Sequence, residues 1–224
     1  MLLQIPGVLN QGEIESLRAE LGRTRFEDGA SLTAFASPDV KRNLQLPQQS
    51  EAARKCSAVV LEALRRNSIF YSAALPLRVQ GPIFNRYDPG MTYGEHVDNS
   101  IMGAPLTTIR ADVAATLFLS APETYDGGEL TVRDSYGVHT VKLPAGSLIV
   151  YPGGSTHEVA PIGRGSRLVA VLWVQSLVRD ETQRRTLFEM DLSLGALRKR
   201  VPDAPELKAL TGLYHNLLRM WADT

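Results

Sequence analysis

The sequence predicts a mainly β fold of the sandwich or jelly-roll type, with helices before and after it. From about residue 76, short β-branched or aromatic runs alternate with breaks that are rich in glycine and proline. Seven or eight short strands within about 100 residues favour antiparallel sheets over alternating βαβ units. The runs are 77–87, 112–120, 129–133, 138–143, 147–151, 156–161 and 167–175.

Helix signals lie on both sides of this β region. Asn10 and Glu13 have the spacing of a capping box, and a second helix fits Ser50 to Arg66. Apolar residues return at helical spacing over 182–194 and 205–221. We therefore expect three segments: a helical one packed on the β domain, the β domain itself and a helical tail. Their ranges are 1–75, 76–177 and 178–224.

The composition indicates one soluble globular domain. The 224 residues include 44% hydrophobic and 21% charged residues, and 24 basic side chains balance 24 acidic ones. Zero net charge argues against nucleic acid or an anionic membrane as the main partner. A single cysteine, Cys56, excludes an internal disulfide and a zinc site made of several thiolates. Without a membrane-spanning run or a signal-peptide pattern, the expected location is the cytoplasm.

A candidate metal site begins with His96 and Asp98. Residues i and i+2 of an extended segment point to the same side, so the imidazole and the carboxylate could bind one ion. This pair of ligand types suits a first-row metal such as Fe(II). The pair alone is a weak signal, because a turn histidine capped by a nearby carboxylate has the same pattern.

A third ligand should come from a distant strand. His157 follows the turn at 152–154 and opens a strand, although an ordinary loop histidine fits there too. His139 shares strand parity with apolar neighbours and is more simply a core or rim histidine. His215 lies in the last predicted helix, where a surface or interface position is expected.

Arg167 favours His157 as that ligand. It lies ten residues after His157 beyond a glycine-rich turn, and a hairpin of that length would bring the two close. Its parity places it with Val169, Val171 and Trp173 on one strand face, where an arginine needs an anion. A planar guanidinium can hold a carboxylate through two parallel hydrogen bonds. An arginine at a strand edge in water is the alternative.

Tyr87 adds a further polar group. It shares parity with Ile83 and Asn85 in the strand before the Asp88-Pro89-Gly90 turn. A buried phenol needs a polar partner, which could be a ligand or simply the backbone.

These segments together resemble the Fe(II)/2-oxoglutarate dioxygenases of the prolyl-4-hydroxylase-like superfamily, and most closely the PKHD-type hydroxylases linked in many bacterial genomes to iron and siderophore uptake. The order, spacing and flanking residues agree, and the likeness covers the whole chain, including the helical tail. The segments are Phe84-Asn85-Arg86-Tyr87-Asp88-Pro89-Gly90, Tyr93-Gly94-Glu95-His96-Val97-Asp98-Asn99, Gly127-Gly128-Glu129-Leu130, and Pro152-Gly153 through His157 to Arg167.

The resemblance implies a double-stranded β-helix that holds one Fe(II). It also implies roles for several residues in binding the metal, the oxoacid and the substrate. The metal ligands would be His96, Asp98 and His157, and the 2-oxoglutarate-binding residues Arg167 and Tyr87. Tyr93, Trp173 and, more weakly, Arg110 would line the substrate cleft. No catalytic side chain beyond these ligands is required.

The implied reaction is hydroxylation of an unactivated C–H bond, with 2-oxoglutarate converted to succinate and CO2 and with ascorbate as a reductant for oxidised iron. Asp98 argues against a halogenase, in which the carboxylate is missing. Two other interpretations stay open: a cupin-like metalloenzyme that does not use 2-oxoglutarate, and a non-catalytic β-sandwich that binds a ligand.

The substrate and the oligomeric state are less defined by the sequence. A prolyl peptide, a free amino acid and a siderophore-related small molecule are all compatible, and the loop over 100–110 is expected to help choose among them. The stripe of Leu207, Leu210, Leu213 and Leu217 would cap the β domain or mediate a homodimer.

Overall fold

The computed structural model describes residues 1–31, 40–104, 106–134 and 137–223. Pro105, in the loop expected to influence substrate choice, lies outside the described residues. The α-helices found within those ranges are α1 Gln11–Arg23, α2 Glu51–Arg66, α3 Ser68–Ala74, α4 Glu181–Arg200 and α5 Pro205–Trp221, with a 3-10 turn at Pro122–Thr124. The strands are β1 Leu3–Ile5, β2 Glu27–Asp28, β3 Lys41–Arg42, β4 Leu44–Gln45, β5 Pro76–Tyr87, β6 Thr92–His96, β7 Ile101–Met102, β8 Ile109–Arg110, β9 Val113–Phe118, β10 Tyr125–Gly127, β11 Leu130–Asp134, β12 Gly137–Val141, β13 Leu148–Pro152, β14 Thr156–Val159, β15 Ile162–Gly165 and β16 Arg167–Ser176.

Two antiparallel sheets form the jelly roll. Among the described strands, the larger sheet has the order β1-β13-β9-β16-β5-β4-β2 and the smaller one β12-β11-β14-β6-β3. Two short pairs, β10-β15 and β7-β8, lie beside them. The predicted mainly β fold with flanking helices is therefore confirmed.

The two faces of the larger sheet bury different cores. On one face, Phe118 packs with Leu130 and Val159 of the smaller sheet. On the other face, Leu117 and Leu172 pack with the apolar sides of α1 and α2. Successive residues of β9 point to opposite faces of the sheet. Because both faces are covered, the strand is buried along its whole length.

The N-terminal segment contains the expected helices and also several short strands. Asn10 and Glu13 form the predicted capping box, and Ser50 caps α2 by accepting a hydrogen bond from the Ala53 amide. β1 pairs with β13, and β4 pairs with β5, so this segment extends the larger sheet. Strands of two or three residues are too short to show a hydrophobic period, which is why the sequence pattern missed them.

The last two helices pack on one another and on the β domain. Tyr214, Leu217 and Trp221 of α5 pack against a small core around Val178 and Leu187. Leu207 is buried as well, whereas Leu210 and Leu213 are exposed, so the predicted leucine stripe divides between two sides of the helix. None of the helices in the described part of the chain combines the length and the apolarity of a membrane span.

Candidate metal and oxoacid site

His96, Asp98 and His157 converge at one point between the sheets. Each offers a ligand atom, and the three atoms all lie within 4.8 Å of one another. His96 ends β6 and His157 lies opposite it in the antiparallel β14, which brings the two ring centroids to 4.2 Å. The Asp98 carboxylate faces both rings, with its oxygens 3.7 Å from His96 Nε2 and 3.8 Å from His157 Nε2.

Backbone carbonyls orient both imidazoles. His96 Nδ1 lies 2.8 Å from the Gly94 carbonyl oxygen, and His157 Nδ1 lies 3.1 Å from that of Ser155. A carbonyl can only accept a hydrogen bond, so each Nδ1 carries the hydrogen and each Nε2 presents its lone pair toward Asp98. This is the tautomer that a metal-binding histidine requires.

The surroundings keep His96 neutral. Burial lowers its pKa, and the neighbouring His157 lowers it further. The Tyr93 ring stacks on the His96 ring with the centroids 3.6 Å apart, which covers one face of the imidazole. A neutral, shielded imidazole is ready to bind a cation without first losing a proton.

Arg167 lies in the same cavity but reaches it from the other sheet. It opens β16 in the larger sheet opposite Tyr87 of β5, whereas His157 belongs to the smaller sheet. The expected hairpin between His157 and Arg167 is therefore wrong: β15 intervenes and pairs with β10. The two side chains meet because the two sheets of a jelly roll enclose one interior.

The surroundings of Arg167 favour an anionic ligand. Arg167 is 1% exposed, and its guanidinium lies 5.2 Å from the Tyr87 ring and 5.3 Å from the Phe118 ring. Neither Arg167 Nε nor the Tyr125 hydroxyl has a hydrogen-bond partner among the described residues, although both are buried. Two such donors are costly to leave unsatisfied, so the arrangement fits a carboxylate ligand.

Gly128 allows the side chains of Arg167 and Tyr125 to approach the turn that contains it. A Cβ at this position would lie 3.0 Å from Arg167 Cδ and 3.2 Å from a Tyr125 ring carbon, and the residue has a φ of +68°. Burial raises the pKa of Tyr125, whereas the Arg167 charge acts to lower it. Tyr125, a neighbour of Arg167, was missed by sequence reasoning, although it lies two residues before the Gly127-Gly128 segment used there.

The three ligand residues and Arg167 line one cavity of about 770 Å³, a volume usual for a small-molecule site. Tyr93 and Trp173 line it, as the sequence reasoning placed them, and so do Tyr87 and Ile83. Tyr151 was missed: it lies edge-on to His157, with a centroid distance of 5.2 Å. It lies within the buried strand β13, and nothing in its sequence context distinguished it from a core tyrosine.

The structure does not bring every candidate to the cavity. Arg110 is absent from the described lining, and its guanidinium binds the Asp112 carboxylate at 2.6 and 3.0 Å. His139 is exposed on β12, 3.6 Å from an Asp134 oxygen, and His215 is exposed on α5. The two histidines that pattern reasoning had set aside therefore lie away from the site.

Comparisons with known proteins agree with this geometry. A sequence profile of the 2OG-Fe(II) oxygenase superfamily matches residues 82–175, and one of the PKHD-type hydroxylase C-terminal domain matches residues 181–223. PKHD-type hydroxylases from Xanthomonas campestris pv. campestris (strain B100) and Hyphomonas neptunium are 50% and 51% identical to the chain, with 100% of both chains covered in each case. The chain belongs to the PKHD-type hydroxylase family.

Solved structures share the fold of this hydroxylase. A Pseudomonas putida prolyl-4-hydroxylase has a TM-score of 0.55 at 24% identity and covers 78% of this chain and 92% of its own. A Trichoplax adhaerens prolyl hydroxylase, solved with a hypoxia-inducible-factor peptide fragment, has a TM-score of 0.57 at 16% identity and covers 83% and 86%. At identities this low, the comparison shows a shared fold, which is the jelly roll with its flanking helices.

The residues present in the hydroxylase fit the two groups that its family uses. Two imidazoles and one carboxylate form the donor set of non-haem Fe(II) oxygenases, and the ligand atoms are already close together. The unsatisfied donor of Arg167, which lines the cavity, fits the distal carboxylate of 2-oxoglutarate.

Proposed function

We propose that this hydroxylase couples decarboxylation of 2-oxoglutarate to succinate and CO2 with insertion of one oxygen atom into a C–H bond of a small molecule or peptide. The observation that carries the proposal is the placement of a His/Asp/His ligand set and a buried arginine with unsatisfied Nε in one cavity. A cupin-like enzyme that does not use the oxoacid would have no need for that arginine.

His96, Asp98 and His157 would hold the iron, and Arg167 with Tyr87 would hold the oxoacid, with Tyr125 positioning the Arg167 guanidinium. When bound, the iron supplies the oxygen chemistry that no protein side chain can perform. The charge of Arg167 fixes the direction of the oxoacid, because its far carboxylate must reach a guanidinium on the opposite sheet. The carboxylate of Asp98 fills the position that a halogenase leaves empty.

The remaining residues orient the reactants and exclude water. Tyr93 covers His96, Tyr151 lies against His157, and Leu130 and Val159 close the apolar side of the cavity. A dry interior strengthens the electrostatic contacts that orient the oxoacid and prevents loss of reactive species to water. Ascorbate is the reductant we expect to restore iron that becomes oxidised without product formation.

The substrate classes that fit are a prolyl peptide and a siderophore-related small molecule. A neighbour of the same fold is solved with a peptide fragment, and another, from Streptomyces hygroscopicus, with nickel, 2-oxoglutarate and hygromycin B. The fold that these neighbours share with this chain therefore accommodates both kinds of molecule. A homodimer through the exposed Leu210 and Leu213 remains part of the proposal, and a monomeric mass at micromolar concentration would contradict it.

The test measures succinate released from 2-oxoglutarate in the presence of a bacterial small-molecule extract. We expect release from the wild type only when Fe(II) and 2-oxoglutarate are both present, and background release from His96→Ala, Asp98→Ala and His157→Ala. His139→Ala is the matched control, because that histidine is exposed on β12. Oxygen consumption that persists without 2-oxoglutarate would favour the cupin-like alternative, and activity in all three ligand variants would contradict the site.

A further inference from the structure

The wall of the cavity contains a buried amide oxygen that the protein leaves without a partner. Asn85 lines the cavity and is 5% exposed, and its Oδ1 has no hydrogen-bond partner among the described residues. A buried acceptor that forms no hydrogen bond is costly, and native proteins satisfy most such groups. A donor from a bound molecule would remove this cost.

The strand pairing places Asn85 between the oxoacid end and the metal end of the cavity. In the β5-β16 pair, Tyr87 lies opposite Arg167, and Asn85 lies opposite Val169 two residues further along. Residues two apart on a strand point to the same side, so Asn85 follows Tyr87 along the wall. Further on, β16 reaches Trp173, whose Nε1 donates to Asp98 of the metal ligand set. Asn85 therefore lies beyond the arginine, on the side toward the metal.

The neighbouring side chains do not satisfy this oxygen. Val169 has no hydrogen-bonding group in its side chain. Gln45 lies opposite Asn85 across the β4-β5 pair and is 4% exposed, and its Oε1 accepts a hydrogen bond of 3.4 Å from Lys41 Nζ. Since Asn85 Oδ1 has no partner in the described structure, Gln45 does not donate to it. The missing donor must therefore come from the cavity.

The oxoacid cannot supply that donor. Ionised 2-oxoglutarate carries two carboxylates and a ketone, which only accept hydrogen bonds. The metal-binding histidines cannot supply it either, because the Nδ1 hydrogens of His96 and His157 already point to the carbonyls of Gly94 and Ser155. A water molecule can satisfy the oxygen before a substrate binds, but a substrate that displaces the water must replace its hydrogen bond. The substrate is therefore the molecule expected to carry the donor.

We propose that Asn85 is a specificity-determining residue, which accepts a hydrogen bond from an N–H or O–H group of the substrate. An amide oxygen carries no net charge, so a neutral carboxamide, peptide N–H or hydroxyl group is sufficient. Esters and ethers of the same shape would leave Asn85 Oδ1 unpaired and would bind more weakly. The inference rests on the proposed function, since it assumes that the iron and the oxoacid occupy their own part of the cavity.

The experiment compares neutral probes that differ in one donor group. N-acetyl-L-prolinamide and cyclopentanecarboxamide each carry an NH2 group, whereas N-acetyl-L-proline methyl ester and methyl cyclopentanecarboxylate have no N–H or O–H at all. Each probe is titrated by calorimetry into protein loaded with nickel(II) and 2-oxoglutarate. We expect the wild type to bind each amide about tenfold more tightly than the matching ester, because only the amide pairs the buried oxygen.

Two variants of Asn85 and one matched control test the residue itself. Asn85→Leu and Asn85→Ala should bind amide and ester equally, and both should bind 2-oxoglutarate like the wild type. Asn85→Leu should also have an equal or higher Tm, because it removes a buried acceptor that has no partner. Asn216→Leu removes an exposed asparagine of α5 and should keep the preference for the amide.

Three results would overturn the proposal: equal or absent binding of amide and ester to the wild type, an unchanged preference in both Asn85 variants, or weaker 2-oxoglutarate binding in those variants. The last would assign Asn85 to the oxoacid. Failure of the proposed function gives a different result, because wild-type protein would then not bind 2-oxoglutarate at all. Thermal unfolding of each variant separates loss of recognition from loss of fold.

Discussion

Trp173 Nε1 donates a hydrogen bond of 2.8 Å to Asp98 Oδ2. Asp98 lies after the end of β6 and Trp173 lies in β16, so the bond joins the smaller sheet to the larger one. It holds the carboxylate in front of the two Nε2 atoms. Groups of this kind, which orient a metal ligand without touching the metal, commonly affect metal affinity strongly.

Replacing Trp173 with phenylalanine should weaken metal binding. The aromatic packing stays, but the Asp98 carboxylate loses its donor and gains rotational freedom. We expect a loss of about 10- to 100-fold in Fe(II) or Mn(II) affinity, measured by competition with a chelating dye. Trp221→Phe, in α5, should retain full affinity, and equal affinity in both variants would contradict this role of Trp173.

Replacing Arg167 with methionine should act on the oxoacid and leave the metal in place. A hydrogen bond to a charged group contributes roughly 1.5–3 kcal/mol, so the Kd for 2-oxoglutarate should rise about 10- to 100-fold. Isothermal titration of the metal-loaded protein measures it. Arg164→Met, which removes an exposed ion pair with Asp126, is the control and should bind the oxoacid normally. Loss of metal affinity in Arg167→Met would instead indicate a collapsed cavity.

Removing the Tyr125 hydroxyl should weaken oxoacid binding through Arg167 without destabilising the protein. The hydroxyl is buried near the Arg167 guanidinium but forms no hydrogen bond of good geometry with the described residues, so Tyr125→Phe should leave the fold intact. We expect the Kd for 2-oxoglutarate to rise about 3- to 10-fold, in line with a single hydrogen bond, and an unchanged or higher Tm. Tyr71→Phe, at an exposed position, is the control. A lower Tm with unchanged Kd would make Tyr125 a purely structural residue.

Much of the fold and of the metal site could be predicted from the sequence because both follow local periods. Strand alternation placed Tyr87 and Arg167 on inward faces, and the i, i+2 spacing placed His96 beside Asp98. Lys41, which lines the cavity, was missed because β3 has two residues and lies in a polar stretch without a period. Tyr125 was missed because a buried hydroxyl becomes informative only when its partners are known. The hairpin expected between His157 and Arg167 was wrong because the number of residues between two strands does not show which sheet each strand joins.

A crystal structure of the protein with Mn(II) and 2-oxoglutarate tests the central claim most directly. It should show the metal bound by His96 Nε2, His157 Nε2 and an Asp98 oxygen, with the distal carboxylate of the oxoacid on the Arg167 guanidinium. A metal bound elsewhere, or an oxoacid that leaves Arg167 without a contact, would contradict the account.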